Sequence, residues 1–294
     1  MVYIKCDVIE TNCCVQFEAP TTMQLFNEVL TSKEIVKLID ETNPAGRLHK
    51  ILVIAKQQHD SKKVRNVWSE VLNVELDDAA ITKAVVELYS LTHQIKSLIK
   101  MKDGLNHELY LNSFNRIESA LIPLNLASGW SSVKVHLSEE ALTRLQFCAE
   151  ELSRFYAEDS LSEEELKSVI ERIEALFESV YSSKLPDVLR FALLEEVERL
   201  RNAIVMYKIK GAKGLKDALQ GTIGAVVANQ EDLRTVGTEN QDLLDRLGEL
   251  IDKMDSFTAR ALKLKTIVSK PIRYLLKSAT EPEILVDEVT EVEA

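Results

Sequence analysis

Eight apolar residues near the C-terminus fall on one heptad seam: Leu243, Leu247, Leu250, Met254, Phe257, Ala261, Leu264 and Val268, with gaps of 4, 3, 4, 3, 4, 3 and 4. A helix with such a seam has to bury it against another helix, in the same chain or in a second one. Charge changes sign along the stretch. Glu239, Asp242, Asp245, Glu249, Asp252 and Asp255 face only Arg246 and Lys253 in the first half, whereas Ser256 to Lys277 contains no acid but carries Arg260, Lys263, Lys265, Lys270, Arg273 and Lys277. Three readings follow. The helix is the last member of an intramolecular bundle; or it forms an antiparallel homodimer, acidic half on basic half; or its basic half binds nucleic acid or an anionic membrane surface. All three concern association rather than chemistry.

The remainder of the chain also reads as helix. It has 294 residues, 46% of them apolar, with 9 Gly and 6 Pro. That is enough for a real core in one large domain or two ordinary ones, and too few breakers for a loop-rich fold. Of the net charge of −11, six negatives (Glu281, Glu283, Asp287, Glu288, Glu291 and Glu293) lie in a tail without Lys or Arg. The body is therefore mildly acidic, which argues against broad nucleic-acid binding and leaves room for a local basic patch. Cys6, Cys13, Cys14 and Cys148 form no spaced disulfide framework, and with no signal peptide the expected compartment is a reducing cytoplasm. The longest apolar runs, such as Ile51 to Ala55 and Ile223 to Ala228, fall far short of the roughly 18 residues of a membrane span, so none is expected.

Along the chain, residues 1–20 differ from the rest. Val2, Ile4, Cys6 and Val8 alternate with polar residues, Thr11-Asn12 can turn the chain, and Cys13 to Phe17 can return, as in a small β-hairpin. Residues 21–130 form an N-terminal helical region. Helices are expected from Ser32 to Asp40, stopped by Asn43-Pro44, then from Arg47 to Gln58, Ser61 to Leu72 and Asp77 to Lys100, followed by a less regular stretch from Leu105 to Trp130. Residues 131–230 form a helical bundle region. One helix begins at Leu137-Ser138. A second begins at Ser162, where Ser162 and Glu165 can make a capping box inside a Leu161–Leu166 staple. A third begins at Leu185-Pro186 and is capped by Gly211, and a short one runs from Gly214 to Val227. The heptad helix occupies 239–277, running to about Ser269 with a break near Pro271, and an acidic, disordered tail fills 280–294.

Several segments resemble a family of uncharacterised bacterial helical proteins. These are Val67 to Leu72, Glu108 to Leu111, Ile117 to Trp130 with Asn125-Leu126-Ala127-Ser128 at its centre, Phe147 to Leu152, and above all the run from Leu185-Pro186 through Tyr207-Lys208-Ile209-Lys210-Gly211-Ala212-Lys213-Gly214-Leu215 to Gly224. The resemblance covers roughly residues 47–230. It implies a bacterial, cytoplasmic, helical protein and brings no functional residues with it.

Candidate chemistry is sparse. Gly211-Ala212-Lys213-Gly214, flanked by Lys208, Lys210 and Lys216, can hold an anion at a helix start, or can simply be a tight helix–helix turn. His49, His59, His93, His107 and His136 are scattered, with no H-E-x-x-H, no nucleophile elbow and no metal-ligand spacing. Acid pairs such as Glu139-Glu140 sit in first helical turns, where they favour the helix dipole. His107, Glu108, Tyr110, Arg116 and Trp130 form a mixed polar–aromatic set that would be a ligand or acid–base site if it converged, and loop packing otherwise.

The expectation is thus a mainly α protein, a multi-helix bundle with room for an N-terminal hairpin and a long heptad-patterned C-terminal helix. No catalytic, metal or cofactor-binding residue is assigned. The expected role is a non-enzymatic scaffold, adaptor or regulatory subunit that associates with a protein partner or with itself through the eight seam residues. Two alternatives stand beside it: nucleic-acid binding through Lys208, Lys210, Lys213, Lys216, Arg260, Lys263, Lys265, Lys270, Arg273 and Lys277, and a helical enzyme with its site in 106–130.

Overall fold

The computed structural model describes residues 43–156, 158–159, 161–263 and 265–267. The expected hairpin, the helix expected from Ser32 to Asp40 and the acidic tail lie outside the described residues, as do Leu264, Val268, Lys270, Pro271, Arg273 and Lys277. Among the described residues the chain is mainly helical and contains no β-strand. An isolated antiparallel bridge joins Lys63 to Gly129.

Helix α1 (Pro44–Gln57) begins at Pro44 rather than at Arg47. Asn43, read from the sequence as a stop, is a start: its side chain accepts the Gly46 N–H at 3.0 Å, and Pro44 takes the first-turn position, where no N–H is needed. The Asn43 amide also donates to the Ala149 carbonyl at 3.1 Å. There follow α2 (Val64–Leu72), α3 (Asp78–Lys100, capped by Asp77), α4 (His107–Leu111), α5 (Phe114–Leu121), α6 (Ser131–Lys134) and α7 (Glu139–Ser153, capped by Ser138). Helix α1 lies between α7 and α3, around a core that holds Trp68, Phe114 and Trp130.

A second core belongs to α8 (Glu163–Tyr181), α9 (Asp187–Val205), α10 (Tyr207–Ala228), the short α11 (Gln230–Thr235) and α12 (Gly237–Ala261). The capping box forms as expected: Glu165 N–H donates to Ser162 Oγ at 3.2 Å and Ser162 N–H donates to Glu165 Oε2 at 2.9 Å, with Leu161 and Leu166 buried beside it. Helix α8 packs on α9, α9 on α10, α10 on α12 and α12 back on α8, so the four long helices close a ring. Short connections make sequential neighbours antiparallel, the up-down arrangement of a four-helix bundle.

Two boundaries depart from expectation. Gly211 does not cap α9, which ends at Val205; it lies inside α10, at φ 63°, ψ −159°, and separates the single turn Tyr207–Lys210 from the rest of that helix. Helix α12 ends at Ala261 instead of continuing to about Ser269. Lys263 adopts the left-handed conformation (φ 54°), and the Ile267 N–H donates to both Asp255 carboxylate oxygens at 2.8 and 2.9 Å, which turns the chain back along the helix it has just left.

Candidate functional site

The described part of the seam packs within the chain. Leu243, Leu247, Leu250, Met254 and Ala261 are buried in the second core and Phe257 is half-buried against it. Leu244 and Ile251 are buried too, widening the apolar stripe beyond a two-helix seam into the face of a bundle helix. Polar ties across the contact fix α12 on α8: Arg172 Nη1 lies 3.0 Å from Glu249 Oε2, Lys253 donates to Ser168, and Arg260 pairs with Glu165. The intramolecular contacts therefore account for the burial of the described seam residues, with Phe257 left partly exposed.

Four of the candidate basic residues stand beside acids. Lys210 lies 2.9 Å from Glu87, Lys213 3.0 Å from Asp217 and Lys263 3.4 Å from Asp159, while Arg260 pairs with Glu165. Lys216 is half-buried. Ion pairs at this exposure are weak, but each brings a counter-charge next to a cation that would otherwise attract a polyanion.

The mixed set around residues 106–130 divides among separate local contacts. His107 Nε2 lies 3.1 Å from the Lys102 carbonyl oxygen, and Arg116 donates to the Val135 carbonyl at 3.4 Å. Glu108 is exposed, and Trp130 is fully buried edge-on against Trp68. The Tyr110 carbonyl meets the Cys148 thiol at 3.7 Å, and burial pushes that thiol up to about 12, so it is a neutral core group. Among the described residues no group of three or more His, Cys, Asp or Glu side chains could hold a metal ion. No helix among them is long and apolar enough to cross a membrane.

Two arrangements stand outside the sequence reading. The first is polar. Arg47, on α1, is buried with Glu158 from the segment that joins α7 to α8; their side chains are 4% and 6% exposed. Its Nη1 and Nη2 donate to the two Glu158 oxygens at 3.0 and 3.3 Å, its Nε to the Ile209 carbonyl at 3.1 Å, and Nη2 also to the Lys210 carbonyl at 3.3 Å. A Cβ at Gly211 would stand 2.6 Å from both Arg47 Cζ and Glu158 Oε2. The anion nearest the Gly211–Gly214 turn is thus a carboxylate of the chain itself. Two phenols flank it. Tyr207 accepts the Leu161 N–H at 3.4 Å and Tyr156 is half-buried; burial first, and the Glu158 charge in addition, raise both above the usual tyrosine value. No acid–base or nucleophilic group stands free here, because the guanidinium and the carboxylate saturate one another.

The second arrangement is apolar. Val188 is 80% exposed and Phe191, one turn on along α9, is 64% exposed, with Arg190 beside the Phe191 ring. Tyr181 is 67% exposed at the adjoining end of α8, stacked on Phe177. Leu189, Leu193, Val197 and Leu200 form the buried face of α9 at helical spacing, and Val188 and Phe191 fall off that spacing, which is the signal the sequence holds for them. Nothing in the sequence signalled the Arg47–Glu158 pair.

No protein-family model, no curated protein and no solved structure matches the chain.

Proposed function

We propose that the chain is a non-enzymatic helical scaffold or adaptor of the bacterial cytoplasm, and that it engages its partner through the outer face of the α8–α9 hairpin rather than through the heptad seam. One observation carries this reading: Val188 and Phe191 lie one turn apart on the solvent side of α9, and Tyr181 lies at the same end of the pair. Isolated exposed apolar residues are ordinary, but three bulky ones at one end of a hairpin are a common mark of an interaction surface. An aromatic ring with a neighbouring Arg is a common anchor for a partner helix. The two alternatives have less behind them. Four of the candidate basic residues stand beside acids, and His107 and Arg116 of the 106–130 set turn to separate carbonyls.

The test is a V188S/F191S variant. Candidate partners are captured with the wild-type chain by crosslinking in cells, then purified and titrated against both proteins; light scattering over a concentration series covers self-association. An affinity loss of about tenfold or more for V188S/F191S, with helicity unchanged, is expected for loss of a central anchor. Equal affinity, or equal self-association, for the two proteins sinks the proposal.

A further inference from the structure

We propose that Arg47 and Glu158 are a lock that fixes the orientation of the α8–α12 bundle on the α1–α7 body. The chain crosses between the two bodies in the segment after α7, and a second contact, made from within the bundle, meets that segment here. The segment after α7 carries Glu158, and the turn Tyr207–Lys210 dips from the bundle into the first body and returns. That turn is shared. Met206 and Ile209 are buried in the first core, whereas Tyr207 and Ala212 are buried in the second.

Gly211 follows the shared turn at once. Its φ of 63° and ψ of −159° lie in a region that essentially only glycine occupies, and helix continues on both sides of it. Gly211 is thus a break between two helical segments of the bundle. Arg47 acts directly on that break, because the carbonyls it binds belong to Ile209 and Lys210, the two residues before Gly211. Glu158 then holds the guanidinium bidentately and fills the space beside the Gly211 Cα. Break and lock are therefore one cluster.

The lock is a directional device. Met206 and Ile209 supply apolar contact that tolerates small rotations. Lys210–Glu87 and Lys83–Asn202 also bridge the bodies, but by exposed side chains that reorient easily. A buried ion pair adds little net stability over apolar side chains of similar volume, yet its hydrogen bonds hold in one geometry. The lock stands whatever binds the Val188–Phe191 face.

The experiment uses the full chain with Cys6, Cys13 and Cys14 changed to Ser; Cys148 stays, since it is buried. Spin labels go on S119C, on the exposed side of α5, and S182C, just beyond α8, and the distance between them is read by double electron–electron resonance. The chain with Arg47 and Glu158 intact gives one narrow distance distribution. In R47M/E158M, which replaces the pair with apolar groups of similar reach, the single narrow peak is lost while helicity by circular dichroism is kept. E158Q, which keeps shape but not charge, broadens the peak less. A narrow, unshifted peak in R47M/E158M overturns the proposal. So does global unfolding of R47M/E158M, because that assigns the pair to stability and not to orientation.

Discussion

Trp68 and Trp130 meet edge to face, with ring centroids 5.3 Å apart and planes at 90°, and both are completely buried in the first core. They are the 2 tryptophans of the chain, so its tryptophan fluorescence reports on the α1–α7 body alone, whereas far-ultraviolet circular dichroism reports on both bodies. If the junction couples the bodies, urea unfolding followed by the two probes gives superimposable curves in the wild type, the usual mark of one cooperative unit. In R47M/E158M the curves separate. Wild-type curves that already separate would show that the bodies unfold independently.

Gly211 and Gly224 share α10 and respond oppositely to a methyl group. At Gly211 an added Cβ meets Arg47 and Glu158 at 2.6 Å, and the backbone angles there cost a non-glycine residue about 1–3 kcal/mol. Gly211→Ala is therefore expected to lower stability by at least about 2 kcal/mol. At Gly224 nothing lies within 4 Å of the added Cβ, and alanine is favoured over glycine in a helix interior by roughly 0.5–1 kcal/mol. Gly224→Ala should raise the urea midpoint as Gly211→Ala lowers it. The same sign for both substitutions would contradict the assignment of Gly211 as a strained break.

The difference between what could and could not be read in the sequence is a difference of range. The Ser162–Glu165 capping box spans four residues, and its geometry follows from the helix alone, so it was legible. Asn43-Pro44 was legible as a helix boundary but not as to which side, because Asn and Pro suit both the end of one helix and the start of the next. The seam was legible as buried, but its period does not state the partner: a bundle neighbour and a second chain present the same groove. Tyr181 follows Phe177 at helical spacing and so reads as core, yet α8 ends at Tyr181 and its ring, stacked on Phe177, stays 67% exposed. Arg47 and Glu158 are 111 residues apart, and each has an ordinary local context. Their meeting follows from how the two bodies dock, which no local pattern records.

The seam makes a prediction that separates core from interface. Leu250 is fully buried among α8, α10 and α12, and Leu→Ala at such a site costs about 2–5 kcal/mol through lost burial and the cavity left behind. Leu250→Ala should therefore lower the unfolding midpoint sharply and leave the native molecular mass by light scattering unchanged. Phe191→Ser should do neither, as an exposed substitution usually changes stability by less than about 0.5 kcal/mol. A drop in native mass on Leu250→Ala, with the fold retained, would return the seam to an intermolecular role.

Glu165 gives the bundle a dependence on pH. Burial opposes its ionised form, but the Ser162 N–H at 2.9 Å and the Arg260 guanidinium outweigh it, so the carboxyl titrates below its ordinary value of 4.5. A folded value below the unfolded one means that the unfolded chain takes up the proton first as the pH falls. The stabilisation is therefore complete above the ordinary value and lost as the pH drops from there through the folded value. Glu165→Gln keeps an acceptor for the Ser162 N–H but cannot titrate. Its unfolding midpoint should lie below that of the wild type at neutral pH, fall less steeply in the acid window, and meet the wild-type curve at the acid end. Parallel curves across that window would assign the acid sensitivity to other carboxylates and leave the Glu165–Arg260 contact between α8 and α12 without electrostatic weight.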